Sequence, residues 1–412
     1  MSSAEPQLDR NPFSPANILD PVPFHRDLRT HAPVYFSDVV HGWLVTRYDD
    51  VSECGKDPRL SADRTDFFVY RFQDAGPEIV QDYIAMCRQQ MVMLDGPAHQ
   101  RLRRLSGPTF SPQVLDALLP AIRRAMHLLV DAVAPQGRMD LVPAISHQLP
   151  PLVIAECFGI PPEDRERFRA WGRPLAEFSS SGVPPEELSH VGRRANQAVR
   201  EMNAYLGALV EQRRRAPGGD MLSQLIAVQE AGRMTPEEVV AQAILIVTAG
   251  HLTTTDQLSN LVHDLLCHPE QLALLRAERR WLRSAVEEGL RYTPAINFMS
   301  RVAAETFPLR GHTVQRGQPV FLGLSAANRD PAVFPDPDRF DITRDFLQHK
   351  HLSFAPGPHH CLGAGLARRE LEIALDVLLE RLPGLRLDAS RPPTRHIEGI
   401  LTRGFSSLPL LW

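Results

Sequence analysis

The residues best able to do chemistry lie in one short stretch, Phe354-Ala355-Pro356-Gly357-Pro358-His359-His360-Cys361-Leu362-Gly363, followed by a helical pattern from Ala364 onward. A cysteine just before a helix sits where backbone N–H groups and the helix dipole favour a thiolate. Gly357 and Gly363 carry no Cβ, so the backbone there can turn sharply around the sulfur or lie close to a flat ligand. N–H groups aimed at that sulfur would tune a bond from the thiolate to iron. For a lone cysteine the plainer alternative is a buried structural thiol in a Gly/Pro loop.

A long helix is the clearest element available to position such a site. Thr235-Pro236-Glu237-Glu238 gives a cap, a first-turn proline and a capping box. Apolar periodicity then runs from Val239 to Leu266, and His268-Pro269 stops it. At 1.5 Å per residue, roughly thirty residues reach about 45 Å, and a helix apolar around so much of its circumference must cross the core. Its middle, Ala249-Gly250-His251-Leu252-Thr253-Thr254-Thr255, is locally weak, because glycine costs about 1 kcal/mol there and threonine is a poor helix former. That weakness is expected to serve close packing, with opening by a ligand as the alternative. Elsewhere, residues 33–47 suggest a hairpin around Gly42, residues 62–90 look irregular, and residues 112–300 look mostly helical. Short β-like pieces follow near 300–325 and at 408–412. The class is mainly α with minor β.

The composition excludes several function classes. The 412 residues, 43% apolar and 23% charged, describe a globular chain rather than a disordered or collagen-like one. Net charge −4 leaves no footprint for nucleic acid. All but two of the 45 basic residues are arginine, the exceptions being Lys56 and Lys350. Cys54, Cys87, Cys157, Cys267 and Cys361 are odd in number, widely spaced and without a CxxC pair, so no complete disulfide or zinc framework is expected. Neither a secretory leader nor a run long enough to span a membrane is recognisable, and a cytoplasmic chain is expected.

The pattern Phe-x-x-Gly-x-His-x-Cys-x-Gly, with Phe354, Gly357, His359, Cys361 and Gly363, resembles the haem-thiolate loop of the cytochrome P450 family, especially its soluble bacterial members. One usual glycine is Ala355 here. The family's Glu-x-x-Arg matches Glu288 and Arg291, about seventy residues before the cysteine, and Phe334-Pro335-Asp336-Pro337-Asp338-Arg339-Phe340 follows in order. The resemblance covers nearly the whole chain. It implies one domain over residues 1–412, a triangular helix-rich prism with small sheets. It implies haem b with Cys361 as the iron ligand, and His99, Arg103, Arg301 and His359 on the propionates. His99 and Arg103 lie four residues apart, hence on one helical face. Arg339 is expected to join Glu288 and Arg291 in a buried brace. Arg101 and Arg104 fall off the propionate face and are expected to be solvated or to face a partner.

By the same resemblance the long helix passes the distal side of the haem. Ala249 and Gly250 leave room for dioxygen, and Thr253 takes the position of the family's proton-relaying threonine. The family usually has an acid just before that threonine; this chain has Leu252. Three readings stay open: His251 supplies protons, although the helix turns it about 100° from Leu252; ordered water or a polar group of the substrate replaces the acid; or the enzyme uses atypical chemistry, such as peroxide-driven oxidation, oxidative coupling or nitric oxide reduction. The substrate is expected to meet Phe67, Phe68, Tyr70 and Phe72 as a roof, Ile246 on the helix, Ile296, Asn297 and Phe298 on one wall, and Leu401 and Thr402 in a return loop. Phe168 to Ser181 is the expected access lid, with Ser179-Ser180-Ser181-Gly182 within it. No flavin, iron–sulfur or nucleotide motif is present, so the implied partners are a ferredoxin-type donor with a separate reductase, and a medium-sized organic substrate, free or on a carrier protein. Arg103, Arg104, Lys350, Arg368 and Arg369 are candidates for docking the donor.

Overall fold

A computed structural model describes residues 9–72, 76–179, 185–230, 233–397 and 399–412. The helices in chain order are α1 (Pro15–Leu19), α2 (Val22–His31), α3 (Tyr48–Cys54), α4 (Thr65–Arg71), α5 (Gln81–Cys87), α6 (Gly96–Ser106), α7 (Pro112–Val133), α8 (Leu149–Cys157), α9 (Arg165–Ser179) and α10 (Pro185–Arg215). They continue as α11 (Met221–Glu230), α12 (Pro236–Cys267), α13 (Pro269–Ala277), α14 (Leu282–Tyr292), α15 (Leu324–Ala327) and α16 (Ala364–Arg381).

The expected long helix is α12, unbroken over 32 residues. Thr235 Oγ1 accepts from the Glu238 amide at 3.1 Å, and Glu238 Oε2 accepts from the Thr235 amide at 2.9 Å, which completes the capping box. α12 packs on α8, α9, α10, α14 and α16, so its apolar circumference is used on nearly every side. Arg101 of α6, expected to be solvated or to face a partner, is still partly exposed but is also tied into the fold. It clamps the same helix start, donating to Glu238 Oε2 at 3.1 Å and to the Arg233 carbonyl at 2.8 Å.

Strands β1 (Val34–Ser37), β2 (Gly42–Val45), β3 (Leu60–Ser61) and β4 (Arg138–Asp140) precede α12, and β5 (Phe298–Ala303), β6 (Phe307–Leu309), β7 (His312–Val314) and β8 (Pro319–Gly323) follow α14. The main sheet has the order β1-β2-β8-β5-β3, with β2 and β8 parallel and the other pairs antiparallel. β9 (Arg386–Leu387), β10 (Thr394–Arg395), β11 (Phe405–Ser407) and β12 (Pro409–Leu411) complete small C-terminal sheets in which β12 lies between β4 and β9.

Two local expectations change. The β1–β2 turn lies at residues 38–41, with His41 at φ 47°, whereas Gly42 already pairs with Ser37. Its glycine is required because a Cβ there would sit 2.8 Å from the Pro319 carbonyl oxygen of β8. The stretch 62–90 is helical in pieces. The α5 start is capped from α10, where Asn196 Oδ1 accepts the Asp82 and Tyr83 amides at 2.9 and 3.0 Å. No described helix is long and apolar enough to cross a membrane.

Candidate active site

Cys361 lies at the end of a tight loop just before α16. Its amide donates to the Phe354 carbonyl at 2.8 Å, the His360 amide to Gly357 at 3.0 Å, and the Ala355 amide to Leu352 at 2.8 Å. Gly357 has φ +83°, and a Cβ there would stand 2.2 Å from the Gly55 carbonyl oxygen. A Cβ on Gly55 would meet Pro356 at 2.4 Å. The Gly357 requirement is therefore backbone-on-backbone contact that locks the loop against the end of α3. Gly363 is different: its Cβ position is 4.0 Å from Cys361 Sγ, beside Phe110. Cys361 is exposed to solvent yet closely surrounded by protein, whereas Cys54, Cys87 and Cys157 are buried in the core. Burial raises the Cys361 thiol, and the Gly363 amide, Arg103, Arg368 and the Ala364 amide work against that.

Ala355, where the family usually has glycine, holds φ +62°. An L-residue in this region costs about 1–2 kcal/mol, more than the roughly 0.5–1 kcal/mol of chain freedom that glycine loses on folding. Ala355→Gly is expected to raise the thermal midpoint; a lower midpoint would show that the loop does not hold this strain.

The two arginines and two histidines expected around a dianion come together. The His99 and His359 rings stack with centroids 4.0 Å apart, and Asp95 Oδ1 lies 3.7 Å from His359 Nε2. Arg103, half-buried, sits close enough to Cys361 to steady a thiolate. Arg301 is 3% exposed, and its Nη2 has no acceptor among the described residues. Burial first, then Arg301 and His99, push His359 down to about 4; burial and Arg64 lower Arg301 to about 10. A cluster so rich in donors and so poor in acids fits the carboxylates of a haem beside a thiolate ligand. Sequence reasoning missed Arg64, which packs beside Arg301 across a separation of 236 residues from its Ser300 acceptor. Nothing in its local spacing marks it.

On α12, Ala249 is exposed and Ile246, Leu252 and Thr253 are partly so, while residues 254–262 are buried. Thr253 Oγ1 donates to the Ala249 carbonyl at 2.8 Å. Gly250 faces α8, its Cβ position 3.2 Å from Ile154. His251 turns toward α9, with Nδ1 2.7 Å from where a Cβ on Gly172 would be and its ring 6.2 Å from that of His147. Two residues along a helix rotate a side chain by about 200°, so His251 points away from Thr253 and is not placed as its direct proton donor. Gly250 is a packing glycine and does not open the helix.

The expected substrate residues separate. Phe67 and Tyr70 are exposed at 52% and 69%, whereas Phe72 is wholly buried. Phe68, Phe72 and Tyr83 all pack on Phe178. Phe72 is therefore core rather than roof. Ile296 bridges to Thr402, and the Asn297 amide donates to the Leu401 carbonyl at 2.8 Å, so the wall and the return loop do meet. Phe298 is a correction: it packs with Phe24, Leu28, Leu44 and Leu401. Three residues along a strand reverse the face, which turns Phe298 away from the side of Arg301. In the expected lid, Phe168, Trp171, Leu175 and Phe178 of α9 are buried; Ser180, Ser181 and Gly182 lie outside the described residues.

The brace under the cysteine loop is complete but differently composed. Arg291 donates from Nε and Nη2 to Glu288 at 2.7 Å each, and from Nη1 and Nη2 to the carbonyls of Asn328, Pro337 and Arg339 at 3.0, 2.8 and 3.0 Å. Asn328 in turn holds the Leu352 amide and the Ser353 hydroxyl, directly before Phe354. Arg339 gives only its carbonyl, its side chain being 64% exposed; the second buried arginine is Arg344, 3.5 Å from Glu288. Arg368 is not free to dock a partner. It pairs with Glu287 at 2.5 Å and covers the Phe354 ring at 4.5 Å. Burial would raise Glu287, but His351 and Arg368 outweigh it and hold the carboxyl at about 2. Burial also keeps His351 down despite its carboxylate neighbour, so Arg368 is the charged partner. Because the folded value lies below the unfolded one of about 4.3, this stability is present above that pH and is lost as pH falls toward 2. Glu287→Gln is expected to flatten the stability–pH curve between about pH 5 and 2; an unchanged slope in acid titration would show that the pair contributes nothing.

Comparison with known proteins agrees with this geometry. The family model described as cytochrome P450 matches residues 65–403. The chain is 37% identical to mycinamicin IV hydroxylase/epoxidase of Micromonospora griseorubida, covering 100% of both. It is 35% identical to the cytochrome P450 monooxygenase PikC of Streptomyces venezuelae, over 100% of this chain and 95% of that one. The solved structure of P450BioI in complex with a hexadec-9Z-enoic acid ligated acyl carrier protein superposes with TM-score 0.87 at 34% identity, covering 96% of this chain and 98% of that one. Fold, cysteine loop and brace together place this chain in the cytochrome P450 family, as an oxidoreductase of the monooxygenase class.

Proposed function

We propose that the whole chain works as one domain that holds haem b through Cys361 and inserts one oxygen atom of O2 into a medium-sized organic substrate, by hydroxylation or epoxidation, in the tailoring of a natural product. The observation that carries this is the exposed Cys361 just before α16, beside the acid-poor cluster of His99, Arg103, Arg301 and His359. Similarity to the mycinamicin hydroxylase/epoxidase and to PikC supports the substrate class. Likeness to the carrier-bound P450BioI admits a carrier-linked substrate.

When bound, the haem supplies the iron that activates oxygen. The chain does the rest. Cys361 provides the thiolate, steadied by the Gly363 and Ala364 amides. The two histidines and two arginines bind the propionates, and Phe354 and Gly357 set the loop. Ala249 presents a small face to the substrate side. Thr253 holds a proton at Oγ1, now given to the Ala249 carbonyl, and must rotate to offer it elsewhere. Leu252 can neither take nor give one. Electrons come from an external ferredoxin; Arg104, Lys350 and Arg369 remain candidates for its docking.

Leu252 favours a second reading, in which peroxide, radical coupling or nitric oxide chemistry replaces ordinary oxygen activation. A reduced, carbon-monoxide-bound spectrum without a strongly red-shifted Soret band would end the haem-thiolate reading. Turnover with a ferredoxin system rather than with peroxide alone supports monooxygenation; the reverse supports the second reading. Leu252→Glu is expected to raise the fraction of electrons ending in product about two- to tenfold, below the roughly 10²–10⁴-fold of a fully positioned proton donor because the new carboxyl is not held by partners evolved for it. Unchanged coupling, measured as product per reductant consumed, would show that a substitute relay already operates.

A further inference from the structure

Two guanidinium groups from distant parts of the chain converge on one carbonyl oxygen. Arg64 Nη1 donates to Ser300 O at 3.1 Å, and Arg301 Nη1 donates to the same oxygen at 2.9 Å. A shared acceptor keeps the two Nη1 atoms no further apart than about 6 Å. The other described contact of the Arg64 fork is Met93 Sδ at 3.2 Å, a weak acceptor. Arg301 Nη2 is buried without an acceptor. Among the described residues no carboxylate comes within 4.0 Å of either arginine. Asp95, which bears on both arginines, is occupied by the Ala62 amide at 3.1 Å, the Ser61 hydroxyl and His359, and Asp63, beside Arg64, accepts from the Thr65 amide and hydroxyl at 2.9 and 2.7 Å.

A buried cation and a partly buried one leaning on one neutral oxygen repel each other, and a single carbonyl does not offset their desolvation. Burial lowers both groups, and Arg64 lowers Arg301 further. An arginine serving only to tie β5 to the start of α4 would have a neutral partner and no second cation beside it. A planar carboxylate, by contrast, accepts from two guanidinium forks at once.

We propose that Arg64 and Arg301 form a two-arginine carboxylate clamp on the Ser300 carbonyl, with Arg64 binding the carboxylate of a haem propionate or of the substrate. The clamp rests on the haem reading above and adds to it a residue, at the cap of α4, that no motif marks. Both sources offer the same chemistry, and two readouts on the holoenzyme separate them.

The test is Arg64→Met, compared with the parent at equal haem loading. The first readout is the rate of haem transfer to excess apo-globin. The second is the affinity for hexadecanoate relative to hexadecanol, from the Soret shift. If the clamp holds a propionate, haem loss accelerates about tenfold or more and the acid-to-alcohol preference stays put. If it holds the substrate, the preference falls about tenfold while haem loss is unchanged. Either result supports the clamp. Both readouts within twofold of the parent overturn it. Where Arg64→Met yields no holoenzyme, Arg64→Lys carries the same two readouts, because a lysine keeps the charge but reaches one acceptor instead of forking over two; a threefold change in either supports the clamp, and parity in both overturns it. A parent without the red-shifted carbon monoxide band would instead remove the haem reading itself, so the two failures are distinguishable.

Discussion

Arg291→Met is expected to lower stability by about 3–5 kcal/mol, the cost of stranding one member of a buried ion pair. Against a total of about 5–15 kcal/mol, much of the chain would not reach a folded, haem-loaded state. Glu288 and Arg291 are both 0% exposed, and all five guanidinium N–H groups are used, two on Glu288 and three on carbonyls. Removing both charges together is not a remedy. The carbonyls of Asn328, Pro337 and Arg339 would still lose their donors, at about 1 kcal/mol or more each. The control is Arg339→Met, expected to stay within about 0.5 kcal/mol because the brace uses only the Arg339 carbonyl and its exposed side chain makes one solvent-screened pair, with Asp341 at 3.7 Å. Denaturant midpoints and haem content of the purified proteins measure both. Equal losses in the two variants would refute the main-chain-only role of Arg339.

Cys361→Ser is expected to abolish the strongly red-shifted Soret band of the reduced carbon monoxide complex and to reduce turnover to background. Enzymes accelerate their reactions by at least about 10⁶-fold, and in a haem-thiolate enzyme the sulfur's electron donation drives O–O cleavage. A serine hydroxyl in the same loop is a far weaker donor. The other cysteines provide the contrast. Burial pushes Cys54 and Cys87 up to about 12 and raises Cys157 as well, so these are inert core thiols. Exposed Cys267 sits 3.5 Å from His263 at the end of α12, at the opposite end of that helix from its capping box. Serine at any of those four positions should leave the band in place. A Cys361→Ser protein that kept it would move the ligand elsewhere.

The residue order alone determined what local chemistry determines. The α12 start was readable because Thr235, Pro236 and Glu238 satisfy the helix end with their own atoms, and its stop because Pro269 removes a donor. The Cys361 loop was readable because its glycines, histidine and cysteine occupy fixed spacings. The His99–Arg103 face followed from helix periodicity. The class, mainly α with minor β, followed from the same periodicities.

Tertiary structure decided everything that depends on a partner distant in the chain. The start of α5 looked irregular because its cap, Asn196, is 114 residues away. Gly42 looked like a turn residue because the Pro319 carbonyl that forbids a side chain there lies on another strand. Arg344 displaced the Arg339 side chain in the brace because the route of the segment after α15, and not its motif, brings a guanidinium to Glu288. Phe298 left the pocket wall because strand alternation against α2 and β2 fixes its face. Arg64 joined Arg301 because β5 carries Ser300 to the start of α4. Local spacing specifies atoms that satisfy their own neighbours; which distant groups share a carbonyl, a carboxylate or a core is set only when the packed elements fix their register.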